Sequence, residues 1–148
     1  MSELKFELQL SADKDKLIAL ATDYENIVNY LPNQIKNVKI IETSNDSIIT
    51  EERLLFSTIM KKEIIQKSIH KKIDDSRLYT EIISGIFKGS KMIVTYEKND
   101  KGTLVKSDID LKLSMRYKLL SILAKKAYKM ILTSVLYKMN TAAMTTSS

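Results

Sequence analysis

Along residues 4–10 the chain alternates without a fault: Leu4, Phe6, Leu8 and Leu10 fall on one side, Lys5, Glu7 and Gln9 on the other. A period of two predicts a strand with one buried face. Ser11 then stands at an N-cap position. Asp13 sits in the first turn of a short helix over 13–22, where the helix dipole favours negative charge. Asp23 opens a second short helix over 24–30. Pro32 ends it, because the residue before a proline is pushed out of the helical region.

From about Lys36 the two-residue period returns and persists to Leu113. It predicts strands over 37–42, 47–56, 60–73, 77–83, 90–98 and 103–113. Turn signals separate them at Ser44-Asn45-Asp46, Asp74-Asp75-Ser76 and Asn99-Asp100-Lys101-Gly102, and Gly85 and Gly89 mark a turn or bulge. Strands joined by such short turns are antiparallel, since parallel neighbours need a long crossover. With the first strand they make seven.

The last element, over 117–140, has no Gly or Pro and spans about 36 Å at the helical rise. On a helical wheel Leu120, Leu123, Ala124, Ala127, Ile131, Ser134 and Val135 share one face. Lys118, Lys125, Lys126 and Lys129 share the other, together with Ile122, Leu132 and Leu136. Residues 141–148 are small and polar and are expected to form a frayed tail behind a single domain over 1–140.

The order strand, two short helices, six strands, long helix predicts an α+β fold. A curved antiparallel sheet of seven strands wraps its apolar face on the C-terminal helix, the one element long enough to cover it. The small residues Ala124, Ala127 and Ser134 either leave room for a ligand or let the helix approach the sheet closely; the sequence leaves both open.

Three segments carry a family likeness. They are the opening strand with Ser11-Ala12-Asp13-Lys14-Asp15-Lys16-Leu17, the run from Thr22-Asp23-Tyr24 to Tyr30-Leu31-Pro32 continued by Ile35-Lys36-Asn37-Val38-Lys39-Ile40, and the hairpin Lys101-Gly102-Thr103-Leu104-Val105 before the long helix. In this order they resemble the START and birch-pollen-allergen-like superfamily (SRPBCC) of polyketide cyclase/dehydrase and lipid-transport proteins. The resemblance covers nearly the whole chain. It implies a helix-grip fold and a cavity for a hydrophobic ligand. Functions in that superfamily range over lipid transfer, quinone binding, sterol or hormone binding and ring cyclisation, so the fold does not fix the function.

Strand phase supplies candidate cavity residues. Leu54, Phe56, Met92, Val94, Tyr96, Ile109 and Leu111 are expected to line it from the sheet, and Leu120, Leu123, Ala127 and Ile131 from the helix. The more apolar phase of the third strand points Glu52 inward, where a carboxylate needs a partner or a shifted pKa. Gln66, Ser68 and His70 form a second polar stripe if the even positions of their strand face inward. The flanking lysines favour the opposite phase, with His70 at the surface. An inward imidazole offers general acid–base chemistry. One histidine and no cysteine leave no ligand set for zinc, and no metal or cofactor is expected.

Composition narrows the class. In 148 residues, 44% are hydrophobic and 28% charged, as in an ordinary soluble domain. No basic region followed by an apolar run opens the chain, and Lys125, Lys126 and Lys129 interrupt its longest apolar-rich stretch. A cytoplasmic location is the default expectation.

The formal charge is +6, and it is uneven. After Asp110 no acidic residue occurs, whereas Lys112, Arg116, Lys118, Lys125, Lys126, Lys129 and Lys138 follow. A basic terminal element suits an anionic partner or is simply a solvated face. Docking through Lys118, Lys125, Lys126 and Lys129 to an anionic membrane, a homodimer contact and RNA are three readings of it. Nucleic acid is disfavoured because aromatics for stacking are sparse there. The leading functional expectation is binding or transport of a small lipid-, quinone- or isoprenoid-like ligand. The alternatives are a small cyclase- or dehydratase-type enzyme using polar cavity residues, and an interaction module working through the basic helix.

Overall fold

The computed structural model describes residues 2–57 and 59–145. Strand β1 (Ser2–Leu10) is followed by helix α1 (Lys14–Ala21) and a 3₁₀ segment over Tyr24–Tyr30. Strands β2 (Ile35–Thr43), β3 (Ile48–Leu54), β4 (Ile64–Lys72), β5 (Arg77–Ile82), β6 (Lys91–Asn99) and β7 (Gly102–Leu111) come next. A 3₁₀ turn over Met115–Leu120 leads into helix α2 (Ser121–Thr145). The seven strands form one antiparallel sheet in the order β1-β7-β6-β5-β4-β3-β2.

Strands β2 to β7 run as a meander. The chain therefore crosses the whole sheet once, between β1 and β2, and α1 with its 3₁₀ segment makes that crossing. Asp13, not Ser11, caps α1: its carboxylate accepts from the Asp15 amide at 3.3 Å. Ser11 has another role. Asn140 of α2 donates to its Oγ at 3.2 Å and accepts from the Ala12 amide at 2.8 Å, tying the far end of the long helix to the β1–α1 turn.

The inner face of the sheet carries Leu10, Leu54, Ile64, Ile82, Val94, Tyr96, Val105, Ile109 and Leu111, all buried in the one core that α2 shares. Helix α2 runs to Thr145, so residues 141–145 are helical, not frayed, and Ala143 is buried. An apolar contact at Ala143 gives the last turn a reason to stay formed. The final residues of the expected tail, 146–148, lie outside those described.

The inward face of α2 is rotated from the expected one. Ala124, Ala127, Ile131, Val135, Leu136, Met139 and Ala143 are buried, while Leu123 is exposed and Leu120 lies half-buried in the preceding 3₁₀ turn. Apolar residues surround this helix on most sides, so hydrophobicity alone sets its phase poorly. Ala124 and Ala127 are buried without bordering open space. Their small size allows close approach of the helix.

Candidate functional site: a two-lobed cavity with a closed polar wall

Between the sheet and α2 lie two lobes of open space, each of about 160 Å³. Tyr24, Ile27, Ile35, Met92, Ile131 and Leu132 border both, so the lobes adjoin. The first is bounded by Leu54, Phe56, Ile109, Leu111 and Tyr128, with Glu52, Gln66 and Ser68 on one wall. The second is bounded by Val94, Tyr96, Val135, Leu136 and Met139, with His70 on its wall. Each is far larger than the ~30 Å³ share of one water.

The sheet residues expected to line the cavity border it: Leu54, Phe56, Met92, Ile109 and Leu111 at the first lobe, Val94 and Tyr96 at the second. From the helix only Ile131 does so. Leu120, Leu123 and Ala127 do not, because the helix turns Tyr128, Leu132, Leu136 and Met139 inward in their place. Leu132 and Leu136, expected on the outer face, are thus cavity residues.

His70 is inward, against the expectation from its lysine neighbours. Strand β4 buries Ile64, Gln66, Ser68 and His70 in strict alternation. Antiparallel register sets Glu52 opposite Gln66, Thr50 opposite Ser68, and His70 opposite Thr80. Directly opposed side chains share one face of a sheet, so these polar groups converge. Lysines at Lys67, Lys71 and Lys72 are exposed, which explains why local charge misled: they belong to the other face or to the strand end.

Three donors hold the carboxylate. Glu52 Oε1 accepts from Gln66 Nε2 at 2.8 Å and Ser68 Oγ at 2.9 Å. Oε2 accepts from Thr50 Oγ1 at 2.9 Å and lies 3.6 Å from His70 Nε2. Since Thr50 spends its proton on the carboxylate, its oxygen accepts from His70 Nε2–H at 2.8 Å. The other ring nitrogen, Nδ1, meets Thr80 Oγ1 at 3.0 Å. Tyr24 stacks on the imidazole with ring centres 4.3 Å apart.

Burial alone would raise the Glu52 pKa. The hydrogen bonds from His70, Gln66 and Thr50 and the charge of His70 outweigh it, and the carboxyl is held below its ordinary range. Thr50 and Thr80 were not singled out by sequence. The signal was present for Thr50, which shares the inward phase of its strand with Glu52 and Leu54; the strand of Thr80 held no candidate, and only the register against His70 brings it in.

Tyr128 is fixed by edge-on packing against Phe56 at 5.2 Å and Phe87 at 5.0 Å between ring centres. Burial raises its hydroxyl pKa and the Glu52 charge adds to the rise, against which the Gln66 amide works. Yet Tyr128 Oη and Gln66 Oε1 are both buried without a hydrogen-bond partner.

Among the described residues no cluster of His, Asp and Glu is arranged to hold a metal ion, and no helix is long and apolar enough to cross a membrane. Of the basic candidates, Lys118 and Lys126 are exposed and Lys125 is half-buried. The Lys129 ammonium stands 5.9 Å from the centre of the Phe6 ring. Beside them Leu119 is fully exposed, and Met115 and Ile122 are exposed at 81% and 70%.

No family model matches the sequence, and no curated protein matches it. Solved structures do match in shape. TTHA0849 from Thermus thermophilus superposes with a TM-score of 0.83 at 18% identity, over 99% of this chain and 100% of that one. A START superfamily protein from Mycobacterium smegmatis gives 0.73 at 13% identity, over 97% of each chain. The di-domain ARO/CYC StfQ of the steffimycin biosynthetic pathway gives 0.75 at 11% identity, over 97% of this chain and 50% of its own. The structural neighbours are thus START and birch-pollen-allergen-like (SRPBCC) proteins, and this chain has their helix-grip fold.

Proposed function

We propose that this protein binds and carries a small, largely apolar ligand in the two-lobed cavity. The observation that carries the reading is the state of the cavity's polar wall. Glu52 and His70 stand on that wall, and most of their hydrogen-bonding capacity is already taken up by neighbouring side chains. Both ring nitrogens of His70 meet threonine hydroxyls, and Glu52 accepts from Thr50, Gln66 and Ser68, with the imidazole 3.6 Å away. A general base must reach the proton it removes with an available lone pair. Binding needs only apolar walls and a few orienting groups.

Cargo of this kind comes from a bilayer, and the exposed end of the helix suits one. Met115, Leu119 and Ile122 project beside Arg116, Lys118 and Lys126, with no acidic residue in the sequence after Asp110. Apolar side chains that dip into the interface, ringed by cations, match an anionic membrane surface.

The test is native mass spectrometry on protein purified without detergent, followed by extraction and identification of any co-purified molecule. A persistent adduct of stoichiometric amount is expected. Protein that stays empty after incubation with lipid extract would remove the reading.

A further inference from the structure

The two unpartnered polar atoms of the first lobe have complementary chemistry. Gln66 is oriented by its amide: Nε2 donates to Glu52, and flipping it would press an amide oxygen against a carboxylate. Its Oε1 is therefore an acceptor with nothing to accept. Tyr128 keeps its proton, so its hydroxyl is a donor with nothing to receive it. Leaving such groups buried and unpaired is costly, and neither finds a partner on the surrounding walls.

We propose that the first lobe selects a neutral hydroxyl group on the ligand, an alcohol or a phenol, which accepts from Tyr128 Oη–H and donates to Gln66 Oε1. A ligand hydroxyl, which both accepts and donates, can answer both atoms at once. A ketone satisfies only Tyr128, and a hydrocarbon satisfies neither. A carboxylate or phosphate would answer Tyr128 but place a second anion near Glu52.

Size limits the rest of the ligand. A cavity of ~150 Å³ is enough for one benzene ring. Each lobe here measures about 160 Å³. A single ring bearing the hydroxyl in the first lobe, with a short apolar chain reaching past Ile131 and Leu132 into the second, fits that plan. This inference rests on the cavity-binding reading and sharpens it.

Isothermal titration of the full chain with three matched probes tests it: para-propylphenol, propylbenzene and para-propylbenzoate. The phenol should bind about tenfold tighter than the hydrocarbon, the usual worth of a well-placed hydrogen bond or two, and the benzoate weakest. Tyr128→Phe should weaken the phenol toward the affinity of propylbenzene, leaving only its bond to Gln66, and leave propylbenzene unchanged. Its melting temperature should stay level or rise, because a buried orphan hydroxyl is gone, so loss of folding does not confuse the result. Equal affinity for phenol and hydrocarbon, or tightest binding of the benzoate, overturns the head-group assignment while the cavity reading stands. If none of the three binds, the cavity reading fails and the assignment goes with it.

Discussion

Glu52 and His70 meet across two adjacent strands at 3.6 Å, and the hydroxyl of Thr50 bridges them, donating to the carboxylate and accepting from the imidazole. The pair sits on the wall of a cavity otherwise lined mainly by apolar side chains. Its partners, not solvent, keep the charge there.

Replacing Glu52 with Gln should therefore destabilise the fold by about 3 kcal/mol at neutral pH, since the charge is lost and an NH2 replaces one accepting oxygen, facing donors. The effect has a pH signature. The folded chain holds this carboxyl below its ordinary value of 4.5, so the unfolded chain takes up the proton first. The stabilisation is complete above that ordinary value and is lost as pH falls through the lowered folded value. Urea unfolding of both proteins from neutral pH downward should show their difference shrinking in acid. A difference that stays constant with pH would contradict the ion-pair account.

Thr50→Val keeps the shape and removes the bridge. It leaves His70 Nε2–H without its hydroxyl acceptor and Glu52 short of one donor, at a cost of about 1–3 kcal/mol. Equilibrium unfolding measures it. Combined with Glu52→Gln the losses should fall well short of additive, because both changes break one network.

The frame of this protein was legible in its residues, and the reasons differ by element. Strand period and turn chemistry depend on neighbours in sequence, so the seven strands and their antiparallel order could be read directly. The phase of β4 could not. Gln66, Ser68 and His70 are polar and inward, and only the register against Thr50, Glu52 and Thr80 explains how that is tolerated. Helix α2 failed for the opposite reason. With Ile122, Leu123, Leu132, Leu136 and Tyr137 spread around it, nearly every phase looked buried. Leu123 proved exposed, and Leu136 turned inward.

Ile131 borders both lobes and offers a way to close them. Ile131→Trp should fill the space between them, abolish binding of the propyl-substituted probes and cost no more than about 1–3 kcal/mol from overpacking. Titration and thermal melting report the two effects separately. Undiminished binding would place the ligand elsewhere.

Leu119→Glu together with Ile122→Glu should release the protein from vesicles of anionic lipid without changing its melting temperature, as both side chains are exposed. Flotation at low and high salt is the measurement. Wild-type binding should weaken with salt, because Arg116 and the lysines act through screened charge. Double-variant protein that floats as well as wild type would disconnect this patch from the membrane.

Gly102 opens β7 with φ of 129°, and a Cβ there would collide with the backbone of Leu10 and Ser11. Gly102→Ala should cost at least about 1–3 kcal/mol from strain alone. Denaturant titration gives the value, and a neutral outcome would mean that the β1–β7 junction yields more readily than its packing implies.

The wall of Glu52 has an evolutionary corollary. Its carboxylate is silent only because each neighbouring hydroxyl and amide keeps it occupied. Loss of the hydroxyl of Ser68, one substitution away, would free one acceptor position on Glu52 Oε1 at the cavity wall. On the carrier reading proposed above, the same wall that leaves a guest untouched stands a single substitution from offering it an acceptor.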